Sequence, residues 1–345
     1  MSSNLINLYS DTQTKPSAAM REAIANAEVG DEQQEADPTT NRLQDMVAEL
    51  LGKEAALFLP SGVMCNQIAI KVWCAPGHEI ILHETAHIVN FETGAAAALS
   101  GAMTRQLPGE RGLFTADQVR EAIRGKRRHD PRQSLLAVEN TANLGGGAIW
   151  PIDQVREVCN VAHEAGLKTH MDGARLLNAV VETGTSARDY AEPFDSLWID
   201  LSKGLGCPVG GVLAGSRDFI EEAFRYKHMY GGAMRQSGII AAAGVYALEH
   251  NVDRMKDDHD NARHLASLVK DISGISLPDE NIETNMVYLD VSSSGLTAAE
   301  VSARLLDKGV KIGALGDYLM RAVTHLDVDR DGVEAAAEAL REVCG

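Results

Sequence analysis

A chain of 345 residues with 45% hydrophobic side chains can bury more than one packed core, and a formal charge of −17 denies it the basic surface a nucleic-acid binder needs. No apolar run approaches membrane-spanning length. MSSNLINLYS at the N-terminus has no basic region followed by a long apolar stretch, so neither a membrane span nor a secretion signal is expected. Cys65, Cys74, Cys159, Cys207 and Cys344 are scattered, odd in number and form no CxxC, which suits a reduced cytoplasm better than a disulfide framework or a zinc site. The basic cluster Arg124 to Arg132 is short, is interrupted by Asp130 and Pro131, and reads as a solvated loop.

Residues 1–16 read as an extended segment, with Pro16 ahead of a helix that begins near Ser17. Asp37-Pro38-Thr39 opens the next helix, in which Leu43, Met46, Val47 and Leu50 recur at helical spacing before Gly52 closes it. Ala55 to Leu59 is a strand that turns through Pro60-Ser61-Gly62 into a helix from about Val63. Such a turn offers free N–H groups and a positive dipole end to a phosphate. Ile80 to Leu82 is a second strand, leading to His83 and His87. Residues 100–133 are polar, with Thr115-Ala116-Asp117 opening a helix. Ser134 to Val138 is a strand ending in Glu139-Asn140-Thr141, and Gly145-Gly146-Gly147 reads as a flexible loop. A helix from about Ile152 to Ala165 precedes the strand Leu167 to Met171, and Val209 to Ala214 gives a further strand. The amphipathic helix Asp218 to Met229 is broken by Gly231-Gly232 ahead of Arg235. Helices over about 237–249 and 251–271 lead to a strand at Met286 to Val291, a helix at Ala298 to Lys308 and a strand near Arg321. Alternating strands and helices predict an α/β fold with a parallel sheet covered on both faces. The expected division is an N-terminal segment 1–16, a large domain 17–245 and a smaller α+β domain 246–345.

Two strand ends carry the chemistry. Leu197, Trp198, Ile199 and Leu201 form an apolar run that stops at Ser202, Lys203 and a cluster of glycines. Lysine is seldom buried, so an ammonium placed there finds a counter-charge, loses its proton or enters a covalent bond; the simpler reading has it reach solvent. A desolvated lysine amine forms Schiff bases with carbonyls, pyridoxal phosphate included. The strand before Asp172-Gly173-Ala174-Arg175 decides between these readings. Ligands of open α/β sheets bind at the carboxyl ends of the strands, so Asp172 and Lys203 look into one crevice. An aspartate that keeps a pyridine nitrogen protonated and a lysine that holds the aldehyde are the pair a pyridoxal phosphate site needs.

HMDGARLLNAV (170–180), DLSKGLGCPVG (200–210), GGAMRQSGIIAAAGVYAL (231–248) and RAVTHLD (321–327) resemble motifs of the threonine aldolases. SDTQTKPSAAMREAIANAEVGDE (10–32) and DPTTNRLQDMVAELLGKEAALFLPSG (37–62) are similar too, so the resemblance covers nearly the whole chain. It implies the fold type I of pyridoxal phosphate enzymes: a large domain with a mainly parallel seven-stranded sheet flanked by helices, and a smaller α+β C-terminal domain. It also implies Lys203 as the cofactor's anchor, Asp172 on the ring nitrogen, His87 of AHIVNFETG stacked on the ring, with Glu92 behind it, and Ser61, Gly62 and Val63 at the phosphate. Many relatives have threonine at the third of these positions, so Val63 offers only its backbone N–H. By the same resemblance Arg175 contacts the cofactor or the substrate carboxylate, and Arg321 clamps that carboxylate with Ser10 of YSDT nearby. Arg235 reaches the phosphate, in some relatives across a subunit boundary, which implies a homo-oligomer, dimer or tetramer, with shared sites.

The implied reaction is retro-aldol cleavage of a β-hydroxy-α-amino acid to glycine and an aldehyde, with His87 or a water it orients taking the hydroxyl proton. No metal is called for. Two departures bear on the substrate. Many relatives read ENTHN where this chain has Glu139-Asn140-Thr141-Ala142-Asn143, and Gln34 stands where relatives carry a tyrosine. Both leave cleavage intact and open the choice of side chain and hydroxyl stereochemistry, phenylserine included. β-Elimination, racemisation or transamination on the same fold is the nearest rival, since all share Lys203 and Asp172. A non-enzymatic relative of the fold conflicts with Lys203, Asp172, His87 and Arg321 occurring together, and a nicotinamide dehydrogenase lacks its GxGxxG fingerprint.

Overall fold

The structure, a computed structural model, describes residues 5–125 and 127–345. A two-residue strand β1 (Ile6–Asn7) opens the chain, followed by helix α1 (Ala18–Ala25). Helix α2 (Pro38–Leu51) starts on the Asp37 cap with proline at its first turn and ends at Gly52, whose φ of 64° is the left-handed conformation that favours glycine. Strand β2 (Ala55–Leu59) then feeds helix α3 (Gly62–Trp73), where the Ser61 hydroxyl accepts the Met64 N–H. These elements lie where the local sequence predicts them, because caps, proline and glycine act within a few residues of themselves.

Strands β3 (Glu79–His83), β4 (Met103–Leu107), β5 (Gln133–Glu139), β6 (Lys168–Gly173), β7 (Ser196–Asp200) and β8 (Gly211–Gly215) complete a seven-stranded sheet in the order β2-β8-β7-β6-β5-β3-β4. Only β8 runs against the others in this sheet, so it is mainly parallel, and β2, β3, β5, β6 and β7 all end at the same edge. Strand β4 falls in the stretch that reads as polar. It lies at the sheet margin and buries only Leu107, so its sequence, MTRQL, lacks the apolar pattern of the inner strands. Gly145-Gly146-Gly147, expected to be flexible, packs instead: a Cβ on Gly147 would come within 2.5 Å of the Thr284 hydroxyl.

The largest core includes Leu43, Phe58, Leu136, Trp150, Met171, Ile199 and Val212 on the sheet and its helices. A second core gathers Leu8, Leu265, Val287, Leu289, Val301, Met320 and Leu340. Its sheet is the antiparallel trio of β9 (Met286–Asp290), β11 (Gly313–Ala314) and β12 (Leu319–Val323), while β1 pairs in parallel with β10 (Val310–Lys311). The helix Arg330–Cys344, which the sequence reading leaves unassigned, adds Val333, Ala336, Leu340 and Cys344 to this second core. The first residues of the chain thus belong to the packing of the last hundred. From there they run to the edge of the large sheet, where the Thr14 hydroxyl donates to the Lys203 carbonyl at 3.0 Å. Among the described residues no helix is long and apolar enough to cross a membrane.

Asp37 joins two distant loops. Its buried carboxylate accepts N–H groups from Gly30 (3.0 Å), Thr40 (2.9 Å) and Gly238 (2.9 Å). Burial raises its pKa, but the three N–H bonds outweigh burial and hold it below the ordinary value. An acid with a lowered folded pKa stabilises the fold above its unfolded value, and this contribution is lost as pH falls through the folded one. Asp37→Asn should therefore lose about 2 kcal/mol at neutral pH. In urea unfolding the deficit should shrink in acid below the ordinary aspartate value of 3.8; a deficit independent of pH would contradict the assignment.

Candidate active site

The ends of β2, β3, β5, β6 and β7 bring Ser61-Gly62-Val63, His87, Glu139, Asp172 and Lys203 to one edge of the sheet. Lys203 is largely buried, with its Nζ 3.0 Å from the Asp200 carboxylate and 5.7 Å from the centre of the Trp198 ring. Of the fates open to a lysine at a strand end, the side chain alone takes the counter-charge, from the last residue of β7. Its ammonium acts electrostatically on both His87 and Asp11, which places the three in one neighbourhood. Trp198 also packs on the start of α3: a Cβ on Gly62 would lie 2.2 Å from its ring, so glycine is required there. The N–H groups of Gly62 and Val63 belong to the first helical turn and have no acceptor within the helix.

Asp172 ends in a buried polar network centred on Asn66 of α3. The Asn66 amide donates to Asp172 (2.8 Å) and to Glu92 (2.7 Å), while its carbonyl oxygen accepts from the Trp198 indole (2.7 Å) and His170 Nε2 (3.1 Å). Two carboxylates on one side and an indole N–H on the other fix which end of the amide is which. Burial pushes the His170 pKa down to about 4 against the pull of Asp172, so the ring is neutral with its proton on Nε2. Its Nδ1 then accepts from Ser196, whose oxygen accepts the Trp73 indole N–H at 2.9 Å. Asp172 also takes the Ala174 N–H at 3.1 Å.

His87 opens the short helix α4 (His87–Asn90). Its Nδ1 lies 2.8 Å from Glu92, and Glu92 accepts Gln67 at 2.5 Å through its other oxygen. Burial lowers the His87 pKa, but the bond to Glu92 and the charges of Asp172 and Glu92 win, and the net shift is upward. With Nδ1 bound to a carboxylate, Nε2 is the nitrogen free to exchange a proton. Phe91 stands beside the ring, centroids 5.4 Å apart, and is itself half-exposed.

Arg175 is buried and spends two of its nitrogens on Asp11, each at 2.7 Å. Ser10, next in the chain, is buried and caps the turn that carries Asp11. Arg321 on β12 donates to the Asn143 side chain at 2.6 Å, and its Nε is buried without a partner. Arg235 does not join this group within one chain: its side chain is 67% exposed and pairs with Asp31 at 3.0 Å. His83 is a structural tie. Its Nδ1 accepts the Thr85 N–H, and its Nε2–H donates to the Gly109 carbonyl.

The family model described as beta-eliminating lyase matches residues 7–292. The low specificity L-threonine aldolase of Escherichia coli K12 is 41% identical over 334 residues, covering 96% of this chain and 97% of its own. The chain belongs to the threonine aldolase family. Low-specificity L-threonine aldolase 1 of Arabidopsis thaliana is 37% identical, covering 95% of this chain and 93% of its own. The solved Leishmania major threonine aldolase, at 18% identity, superposes with a TM-score of 0.83 over 98% of this chain and 99% of its own. The fold is therefore the fold type I arrangement of these aldolases.

Several residues around this aldolase-family site escape sequence reasoning. Asn66 lies in no motif, and Asp11, Asp200 and His170 lie inside matched stretches without a role attached to them; Asn66, Asp11 and His170 act through partners distant in sequence. Glu139 is visible as a polar residue at a strand end and as the first residue of the stretch set against ENTHN, with no role attached to it. The Asn66 network should be costly to break, since Asn66→Ala strands an indole N–H and an imidazole N–H and removes donors from two carboxylates. A loss of about 3 kcal/mol is expected in urea unfolding; stability equal to wild type would show that water replaces the amide without cost.

Proposed function

We propose that the protein is a pyridoxal phosphate-dependent aldolase that cleaves L-threonine, L-allo-threonine or a related β-hydroxy-α-amino acid such as phenylserine to glycine and an aldehyde. The observation that carries this is the convergence of a buried lysine, a buried aspartate and a carboxylate-bound histidine at one sheet edge, with an arginine whose Nε is unpaired. The donor set fits the cofactor. Asp172 and His87 suit a pyridinium ring, Lys203 an aldehyde, and the free N–H groups of Gly62 and Val63, beside Ser61, a phosphate. The close spacing of the donor atoms of His87, Glu92 and Asp172, all within 4.8 Å of one another, also resembles a cation site. Asn66, Gln67 and His87 already occupy the Glu92 oxygens, which favours the ring.

Bound pyridoxal phosphate supplies an electron sink for the bond that breaks. The chain does the rest. Arg321 binds the α-carboxylate, with Arg175 and Ser10 beside it, and so fixes rotation about the amino acid and sets the Cα–Cβ bond to break. His87, through Nε2 or a water held there, accepts the β-hydroxyl proton. Ala142 brings no imidazole to that reaction, so the proton falls to the His87 side. The Lys203 amine, released from Asp200, holds the cofactor between turnovers.

Arg235 completes the phosphate site of a neighbouring subunit in this reading, which its exposure supports, and the assembly is a homodimer or homotetramer. A division into a large and a smaller unit belongs to the same reading and is supported by the two cores, with β1 docked on the second; the expected boundary at 246 falls inside the helix Gly238–His250, and Ala247 and Met255 still pack in the first core. All five cysteines are buried and unpaired, in keeping with a cytoplasmic setting. β-Elimination is the second reading, favoured by the family model's description and by its use of the same lysine and aspartate. Product analysis separates the two. The cofactor-loaded protein should release equal amounts of glycine and acetaldehyde from L-threonine or L-allo-threonine; a 2-oxo acid and ammonia would replace the aldolase with the lyase.

A further inference from the structure

Glu139 lies between the two groups that the aldolase reading assigns to opposite sides of the substrate. It ends β5, in register with Asp172 on the parallel neighbour β6. One carboxylate oxygen accepts the backbone N–H of His87 at 2.6 Å, and the other accepts the backbone N–H of Asn143 at 2.7 Å. Ala86, at the start of helix α4, offers no side-chain cap, and Glu139 takes the first N–H of the helix that carries the imidazole. Asn143 receives Arg321 on its side-chain oxygen and the Tyr288 hydroxyl on its carbonyl, at 2.6 and 2.8 Å. A single carboxylate therefore ties the backbone beneath the imidazole to the turn that seats the guanidinium.

We propose that Glu139 is a positioning residue for the cleavage reaction: its ionised carboxylate sets the spacing between His87 and Arg321, and therefore the geometry in which the β-hydroxyl and the α-carboxylate are held together. The inference rests on the aldolase reading of those two groups. The Gly-rich turn after Asn143 and the short α4 have little else to fix them to each other. A neutral carboxyl in the same place keeps only one good acceptor for two N–H donors, so one of the two loops is released.

The surroundings of Glu139 make this tie sensitive to pH. Burial and then Asp172 raise its pKa, to about 7, against the two backbone bonds and His87. Asp172 faces it from β6 and His87 from α4, Arg175 and Tyr288 interact with it from the turn after β6 and from β9, and Arg321 of β12 reaches it through Asn143. An acid whose folded pKa is raised costs the fold stability progressively as pH climbs from its unfolded value to its folded one. Ionising Glu139 thus costs the fold stability, the reverse of a residue retained for stability.

The test compares wild type with Glu139→Gln and Glu139→Asp in two measurements. In the first, on the full chain without added substrate, the melting temperature of Glu139→Gln relative to wild type should rise between pH 5 and about pH 7 and level off above it. In the second, with cofactor and L-threonine, Glu139→Gln should lose about ten- to a hundredfold in kcat/KM, with KM raised as well as kcat lowered, and its activity should fall less steeply in acid than the wild type's, the limb that belongs to His87 remaining. Glu139→Asp keeps the charge on a shorter arm. It should retain the acid fall while KM rises, and it serves where the glutamine variant does not fold. A melting difference that is the same at every pH, or variants with wild-type KM and acid profile, would overturn the proposal. A wild type that yields no glycine at all defeats the aldolase reading instead, and the melting comparison still judges Glu139.

Discussion

Asp172 sits inside the protein where two donors meet it, the Asn66 amide and the Ala174 N–H. A carboxylate moved into a dry interior loses several kcal/mol of solvation unless donors replace the water. The Asn66 amide divides its two hydrogens between Asp172 and Glu92, and its oxygen takes the Trp198 and His170 donors, so no valence of the amide is wasted. Glu92 in turn holds the His87 ring. One asparagine on α3 thereby ties together β6, β7 and the histidine that follows β3. Loss of that residue would disturb Asp172, the Glu92 that holds His87, and the Trp198 ring near Lys203 at once.

The sheet makes this concentration possible. Five strands ending at one edge deliver five polar segments to one crevice, each carried there by an apolar run with no choice but to be buried. The N-terminal segment then closes the crevice from the other side. It begins within the second core, passes Asp11 to Arg175, and ties Thr14 to the Lys203 backbone. The pairing with Asp11 leaves Arg175 oriented rather than free. That geometry favours Arg321 as the main grip on a substrate carboxylate, since its Nε keeps an unspent bond.

Much of this was legible in the sequence, for identifiable reasons. Lys203 and Asp172 stand where apolar runs stop, and the position of a strand end is a local property. The α2 and α3 caps, Gly52 and the Ser61 turn are equally local. Strand β4 was not legible, because a marginal strand that buries one leucine leaves no apolar pattern. Asn66 and Glu139 were illegible as functional residues for a different reason. Asn66 sits at position 66 and its partners at 92, 170, 172 and 198, and Glu139 joins 87 to 143; only the folded chain makes these neighbours. Arg235 illustrates the reverse case, a residue marked by its motif that a single chain leaves on the surface beside Asp31.

The claim on which everything turns is that Lys203 is the amine that holds the cofactor. Reduction of the cofactor-loaded protein with borohydride fixes a pyridoxyl group on whichever amine carries it, and peptide mass mapping then locates that amine. The added mass should fall on the peptide containing Lys203 and on no other lysine. Label on a different lysine, or no label in protein saturated with pyridoxal phosphate, would contradict it.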